Sequence, residues 1–67
     1  RNRRDLLHSC VARLPKEQRD VLILRYHKDM SFKEIADYTG VSINTALGRM
    51  RYALMNLRKM APRQAFD

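Results

Sequence analysis

One cysteine, two histidines and no long apolar run narrow what this chain can be before any motif is read. Cys10 has no partner for an internal disulfide, and with only His8 and His27 there is no ligand set at zinc spacing. Neither a metal nor a cofactor is expected, and the cysteine usage favours a reducing, cytoplasmic setting. No stretch is long and apolar enough to cross a bilayer. The basic start Arg1-Asn2-Arg3-Arg4 is not followed by a signal-peptide core, so no membrane partner is expected. A nucleophile–base pair and a phosphate-binding glycine loop are also missing, and the chain is not read as an enzyme. Repeats and low-complexity tracts are absent. The start at Arg rather than Met leads us to expect a piece of a longer protein, its C-terminal part.

What is present fits one small folded domain. Sixty-seven residues bury only a modest core and leave little room for a large catalytic cavity. Hydrophobic residues at 45% and charged residues at 31% belong to a folded domain rather than a disordered tail. Fourteen Lys and Arg against seven Asp and Glu give +7, which suits an anionic partner: nucleic acid, an acidic protein or a membrane surface. Residues 1–13, 14–27, 28–41 and 42–61 carry +3, +1, −1 and +4, so the positive charge collects towards the two ends.

Hydrophobic spacing predicts an all-α fold, a compact four-helix domain. Leu6, Leu7, Cys10, Val11 and Leu14 recur at three and four residues, giving a first helix over about 3–13. Pro15 disfavours helix at Leu14 and suits a first helical position, so a second helix restarts over about 15–27. Its run Val21-Leu22-Ile23-Leu24, followed by Tyr26, is apolar nearly all the way round and predicts a central post surrounded by its neighbours. Ser31-Phe32-Lys33-Glu34 reads as a capping box, with Met30 and Ile35 spaced as its hydrophobic staple. The third helix ends near Tyr38 or Thr39, because Gly40 can take the left-handed conformation that closes a helix. Ser42 is a good N-cap for a long fourth helix, Ile43 to about Met60, stopped before Pro62.

A short capped helix, a glycine turn and a second capped helix make a helix-turn-helix over 31–60, whose second helix enters the DNA major groove. In Glu34-Ile35-Ala36-Asp37-Tyr38-Thr39-Gly40-Val41-Ser42, Ile35 supplies apolar contact, Ala36 lets the helices cross closely and Gly40 permits the turn. A wheel of the fourth helix puts Ile43, Ala46, Met50, Ala53, Leu54 and Leu57 on the packing side. Asn44, Gly48, Arg51, Met55 and Arg58 fall around the other side. The residues expected to reach bases or phosphates of double-stranded DNA are Asn44, Thr45, Leu47, Gly48, Arg49, Arg51 and Tyr52, with N–H groups at Ser42 and Ile43 available to a phosphate. Arg can pair with guanine and Asn with adenine, Leu47 can touch a thymine methyl, and Gly48 lets the helix approach closely. Arg58 and Lys59 lie about 10 to 16 Å beyond Arg49 and suit phosphate contacts.

The segments Leu14-Pro15-Lys16-Glu17-Gln18-Arg19-Asp20-Val21-Leu22-Ile23-Leu24-Arg25-Tyr26, Met30-Ser31-Phe32-Lys33-Glu34-Ile35-Ala36 and Gly40-Val41-Ser42-Ile43-Asn44-Thr45 resemble region 4 of bacterial RNA polymerase sigma factors, especially the extracytoplasmic-function type. The resemblance spans about residues 14–60. It implies binding of the minus-thirty-five promoter element by the fourth helix, and docking on the beta flap of the polymerase core. The family's recognition helix commonly reads Thr, Val, a basic residue, Ser, Arg, Leu. Thr45 and Arg49 match it, whereas Leu47 and Gly48 depart from it, so the family's base preference is not carried over there.

Two other readings stay open at this stage. A regulator of the LuxR-like class also carries a Glu-Ile-Ala helix before a Thr-containing recognition helix. An interaction module held by polymerase or by an inhibitory anti-sigma partner would use the same apolar and basic surfaces. Met50, Leu54, Leu57 and Met60 are read as core, and Met55 as outward. Cys10 is read as a buried, inert thiol, His8 and His27 as solvated or half-buried, and the Arg1–Arg4 run as a solvated end.

Overall fold

The computed structural model describes residues 3–60, with side chains from His8 onward. The expected stripe residues Leu6 and Leu7, the Arg1–Arg4 run and the stop at Pro62 lie outside what it describes. Four helices follow one another: α1 (Arg3–Ala12), α2 (Lys16–Leu22), α3 (Phe32–Thr39) and α4 (Ile43–Met60). The chain turns between α1 and α2 through backbone bonds from Arg13 N–H to Cys10 C=O and from Leu14 N–H to Val11 C=O, both 3.1 Å. Pro15, extended at φ −53° and ψ 150°, starts α2.

Past Leu22 the helix widens into a π-helical stretch, Ile23–His27. Lys28 N–H reaches five residues back to Ile23 C=O at 3.1 Å, and Met30 N–H reaches Leu24 C=O at 3.0 Å. Between them Asp29 takes φ +61°, a left-handed position that Asp tolerates better than most side chains. Arg25 clamps this exit. Its Nη1 donates to Met30 C=O at 2.9 Å, and its guanidinium lies 5.2 Å from the Phe32 ring centroid.

The start of α3 is held as its sequence implies. Glu34 N–H donates to Ser31 Oγ at 3.1 Å, and Ser31 N–H donates to Glu34 Oε1 at 2.8 Å. The Ser31 backbone N–H, then the Ser31 hydroxyl, hold the Glu34 carboxyl below its ordinary range. Met30 lies half-buried against the core that contains the fully buried Ile35, as the staple spacing expects. At the other end Gly40 sits at φ +73°, and Val41 N–H closes back to Ala36 C=O at 3.0 Å.

The core gathers Cys10, Leu14, Val21, Leu22, Ile35, Ala36, Ala46, Met50, Ala53 and Leu57, drawn from all four helices and the turn before α2. Buried Ala36, Ala46 and Ala53 let α4 approach its neighbours closely. Two expectations need correction. Ile43 and Leu54 are 46% and 36% exposed, so they lie outside the packing stripe of α4. The run expected to be surrounded is buried only at Val21 and Leu22; Ile23 and Tyr26 are 40% and 70% exposed. A core this small covers one side of α2, and the widened turn carries the following residues to its edge.

Candidate nucleic-acid interface

Three neighbours hold α4, which packs against α2, α3 and, more lightly, α1. A hydrogen bond from Asn56 Nδ2 to Gln18 Oε1, 2.7 Å, pins its flank to α2 across 38 residues of sequence. Thr39 Oγ1 donates to Ile35 C=O at 2.7 Å and leaves the last turn of α3 without a free hydroxyl donor at that point. The Asn56–Gln18 bond was not visible in the sequence, since it depends on how the helices meet, whereas the Thr39 bond is local to α3.

The N-terminus of α4 is capped by Ser42. Its Oγ accepts from Thr45 N–H at 3.1 Å and donates to Thr45 Oγ1 at 3.0 Å, while Ala46 N–H closes on Ser42 C=O at 3.0 Å. The first-turn N–H groups of Ile43 and Asn44 therefore remain for an external acceptor, at the end of the helix where the dipole favours an anion. No acidic residue stands in this first turn.

Outward from the buried stripe, the fifteen or so ångströms after Ser42 carry the expected contact residues. Asn44, Gly48, Arg51 and Met55 follow one another at helical spacing and form a single ridge pointing away from the core. Asn44, Arg51 and Met55 are exposed; Gly48, having no side chain, is half-buried. Leu47, 42% exposed, and Arg58 border this ridge on one side, with Tyr52 and Lys59 on the other. Thr45 lies further round, and Arg49, half-buried, further still, near the edge of the packed stripe. Nine of the ten residues predicted for DNA contact thus divide into a central ridge and two flanks, and the tenth, Ser42, caps the start of the helix.

Charge sharpens this face. Arg49, Arg51, Arg58 and Lys59 stand on a helix without a single acidic residue. Among the described residues the only ion pair is Lys16–Asp20, 2.6 Å apart on α2, and none of the α4 cations is paired there. One feature sequence reasoning missed lies elsewhere: a shallow groove between α2 and α3, lined by Lys16, Asp20, Ile23, Leu24, Tyr38 and Thr39. Exposed Ile23 and Tyr38 mark it, but the gap between two helices has no signature in either one.

A capped helix pair hinged on a left-handed glycine, with four cations and no acidic residue on the second helix, defines a helix-turn-helix DNA-binding domain. The family model for sigma-70, region 4 matches residues 4–57. The chain belongs to that family, and is a sigma-factor DNA-binding domain. It is also 36% identical over 52 residues to the RNA polymerase sigma factor SigV of Bacillus subtilis (strain 168); the match covers 78% of this chain and 31% of that protein. The chain therefore spans less than a third of this curated relative. No solved structure matches it significantly. No helix among the described residues is long and apolar enough to cross a membrane.

Proposed function

We propose that this domain reads the minus-thirty-five element of double-stranded promoter DNA in the major groove, within a cytoplasmic sigma factor that directs transcription initiation by RNA polymerase. The observation that carries the reading is the outward ridge of α4, where Arg51 on the ridge and Arg49, Arg58 and Lys59 beside it have no acidic partner on their own helix. Asn44, Leu47, Gly48 and Arg51 face the bases. Ser42, Thr45, Arg49, Tyr52, Arg58 and Lys59 hold the phosphates on either side, fixing register without reading sequence. The family membership agrees, and displaces the LuxR-like alternative.

Polymerase docking needs a surface separate from this one. The groove between α2 and α3 contains no residue of α4, so a contact there with the beta flap leaves the reading face free. A domain of this size makes few phosphate contacts, and tethering to polymerase raises its effective concentration at the promoter.

The test is selection of duplexes from a random pool by the protein, alone and with core polymerase, followed by binding against salt. Neutralising three phosphates, through Arg49, Arg58 and Lys59, gives a log–log slope of roughly −2.7, at about −0.9 per phosphate. Arg49→Ala with Arg51→Ala should abolish enrichment. Unchanged enrichment would place the reading surface elsewhere. A second reading is favoured by the exposed apolar residues Ile43, Leu54 and Met55 on the same helix: an inhibitory anti-sigma protein covering them would exclude DNA. Its signature is a partner that competes with the selected duplex and is lost in Leu54→Ser.

A further inference from the structure

The chain has two glycines, and the fold needs only one of them. Gly40 stands at φ +73°, in the left-handed region where a side chain is strained. Gly48 lies in the interior of the 18-residue helix α4, outside the left-handed region, and a Cβ built on it meets no heavy atom within 4 Å. Neither backbone conformation nor packing calls for glycine there. A helix-interior glycine is disfavoured relative to alanine, and nothing within the described residues offsets that loss. Among the described residues nothing accounts for the missing side chain, and its place on the outward ridge opens it to a partner.

Its surroundings say what. Gly48 sits in the middle of the outward ridge, one turn after Asn44 and one turn before Arg51, with exposed Leu47 beside it. Polar side chains that can hydrogen-bond base edges stand at both ends of this notch. At its centre, Leu47 and Gly48 offer no side-chain donor or acceptor at all. The major groove presents one apolar group, the C5-methyl, and it protrudes towards an inserted helix.

Resting on the reading of α4 as the DNA-reading helix, we propose that the notch at Gly48, walled by Leu47, receives the C5-methyl of a thymine, and that Gly48 is a specificity-determining position of this domain. Leu47 supplies the apolar contact. Gly48 supplies the room for it.

The test uses the duplex enriched by the wild-type protein, with each thymine in turn replaced by deoxyuridine, which removes the methyl and nothing else. One position should lose binding roughly fourfold, the worth of one buried methyl. Gly48→Ala should bind this duplex about tenfold more weakly, lose the thymine-over-uracil preference at that position alone, and melt at a higher temperature than wild type. Arg51→Ala should weaken binding while keeping the preference. A cytosine at the sensitive position should gain affinity on 5-methylation and still fall short of thymine.

Several results would overturn the proposal. They are equal affinity of Gly48→Ala and wild type, no uracil-sensitive position, a preference that persists in Gly48→Ala, or a lower melting temperature for that variant. Tighter binding of 5-methylcytosine than thymine would reassign the notch to methylated DNA and equally overturn it. Duplexes that bind in an Arg51-dependent way without a methyl effect would sink the notch alone. Absence of any Arg51-dependent binding would sink the reading of α4 with it.

Discussion

The two faces of α4 are subject to different constraints although they share one backbone. On the inner face, Ala46, Met50, Ala53 and Leu57 are each at most 5% exposed and interlock with α2 and α3. Their sizes answer to the core: two alanines where helices approach, two long chains where space remains. On the outer face, Asn44, Arg51 and Met55 are exposed and a Cβ at Gly48 would meet nothing within 4 Å, so no packing among the described residues dictates them. Residue identity on the inner face therefore reports on the fold. On the outer face it reports on a partner.

The division can be broken most forcefully from the inside. Leu57→Ala should lower folding stability by about 2–5 kcal/mol, a large part of what a domain of this size possesses, and is read as a drop in the denaturant midpoint at unchanged slope. Arg51→Ala should do the opposite: affinity for the selected duplex falls by about 1–3 kcal/mol, while the midpoint moves by no more than about 0.5 kcal/mol. A stability loss on the outer face as large as that on the inner one would end the distinction.

Smaller effects sharpen it. Gly40→Ala should destabilise by roughly 1 kcal/mol, because its left-handed backbone disfavours a side chain, in contrast to the stabilisation expected at Gly48. The capping box gives a pH signature that belongs to the fold and not to DNA. The folded state holds the Glu34 carboxyl below its unfolded value, so this contribution is present above the ordinary glutamate range, near about pH 4.3, and is lost as pH falls through the lower folded value. Thermal melts from pH 6 to pH 3 should show Glu34→Gln losing less stability on acidification than wild type. The smallest effect belongs to Arg58, where substitution by Ala should flatten the salt slope by about one unit without changing base preference.

How much was legible in the sequence follows the same division. Caps and the hinge are local chemistry, and Ser31 with Glu34, Gly40 and Ser42 stand where their residue types imply. The family motifs are also local, and the match over residues 4–57 agrees with them. Burial depends on neighbours, and there the wheel overreached. Ile43 and Leu54 lie on the edge of the apolar stripe of α4, and only the placement of α2 and α3 decides that the edge is left in solvent. The same holds for Ile23 and Tyr26, apolar positions that a larger core would have covered. The groove beside them arises from the spacing of two helices, which no single segment encodes. For the candidate interface, the residues were legible as a set, but their division into ridge and flanks, with Arg49 half-buried, required the orientation of α4.

The most direct measurement of the outer-face assignment is a titration of the isotopically labelled protein with its selected duplex, following each backbone amide by NMR. The expected result is a contiguous set of shifts from Ser42 to Tyr52 with weaker ones at Met55, Arg58 and Lys59, while Lys16, Ile23 and Tyr38 stay still. Shifts centred on the groove between α2 and α3, with α4 unperturbed, would contradict it.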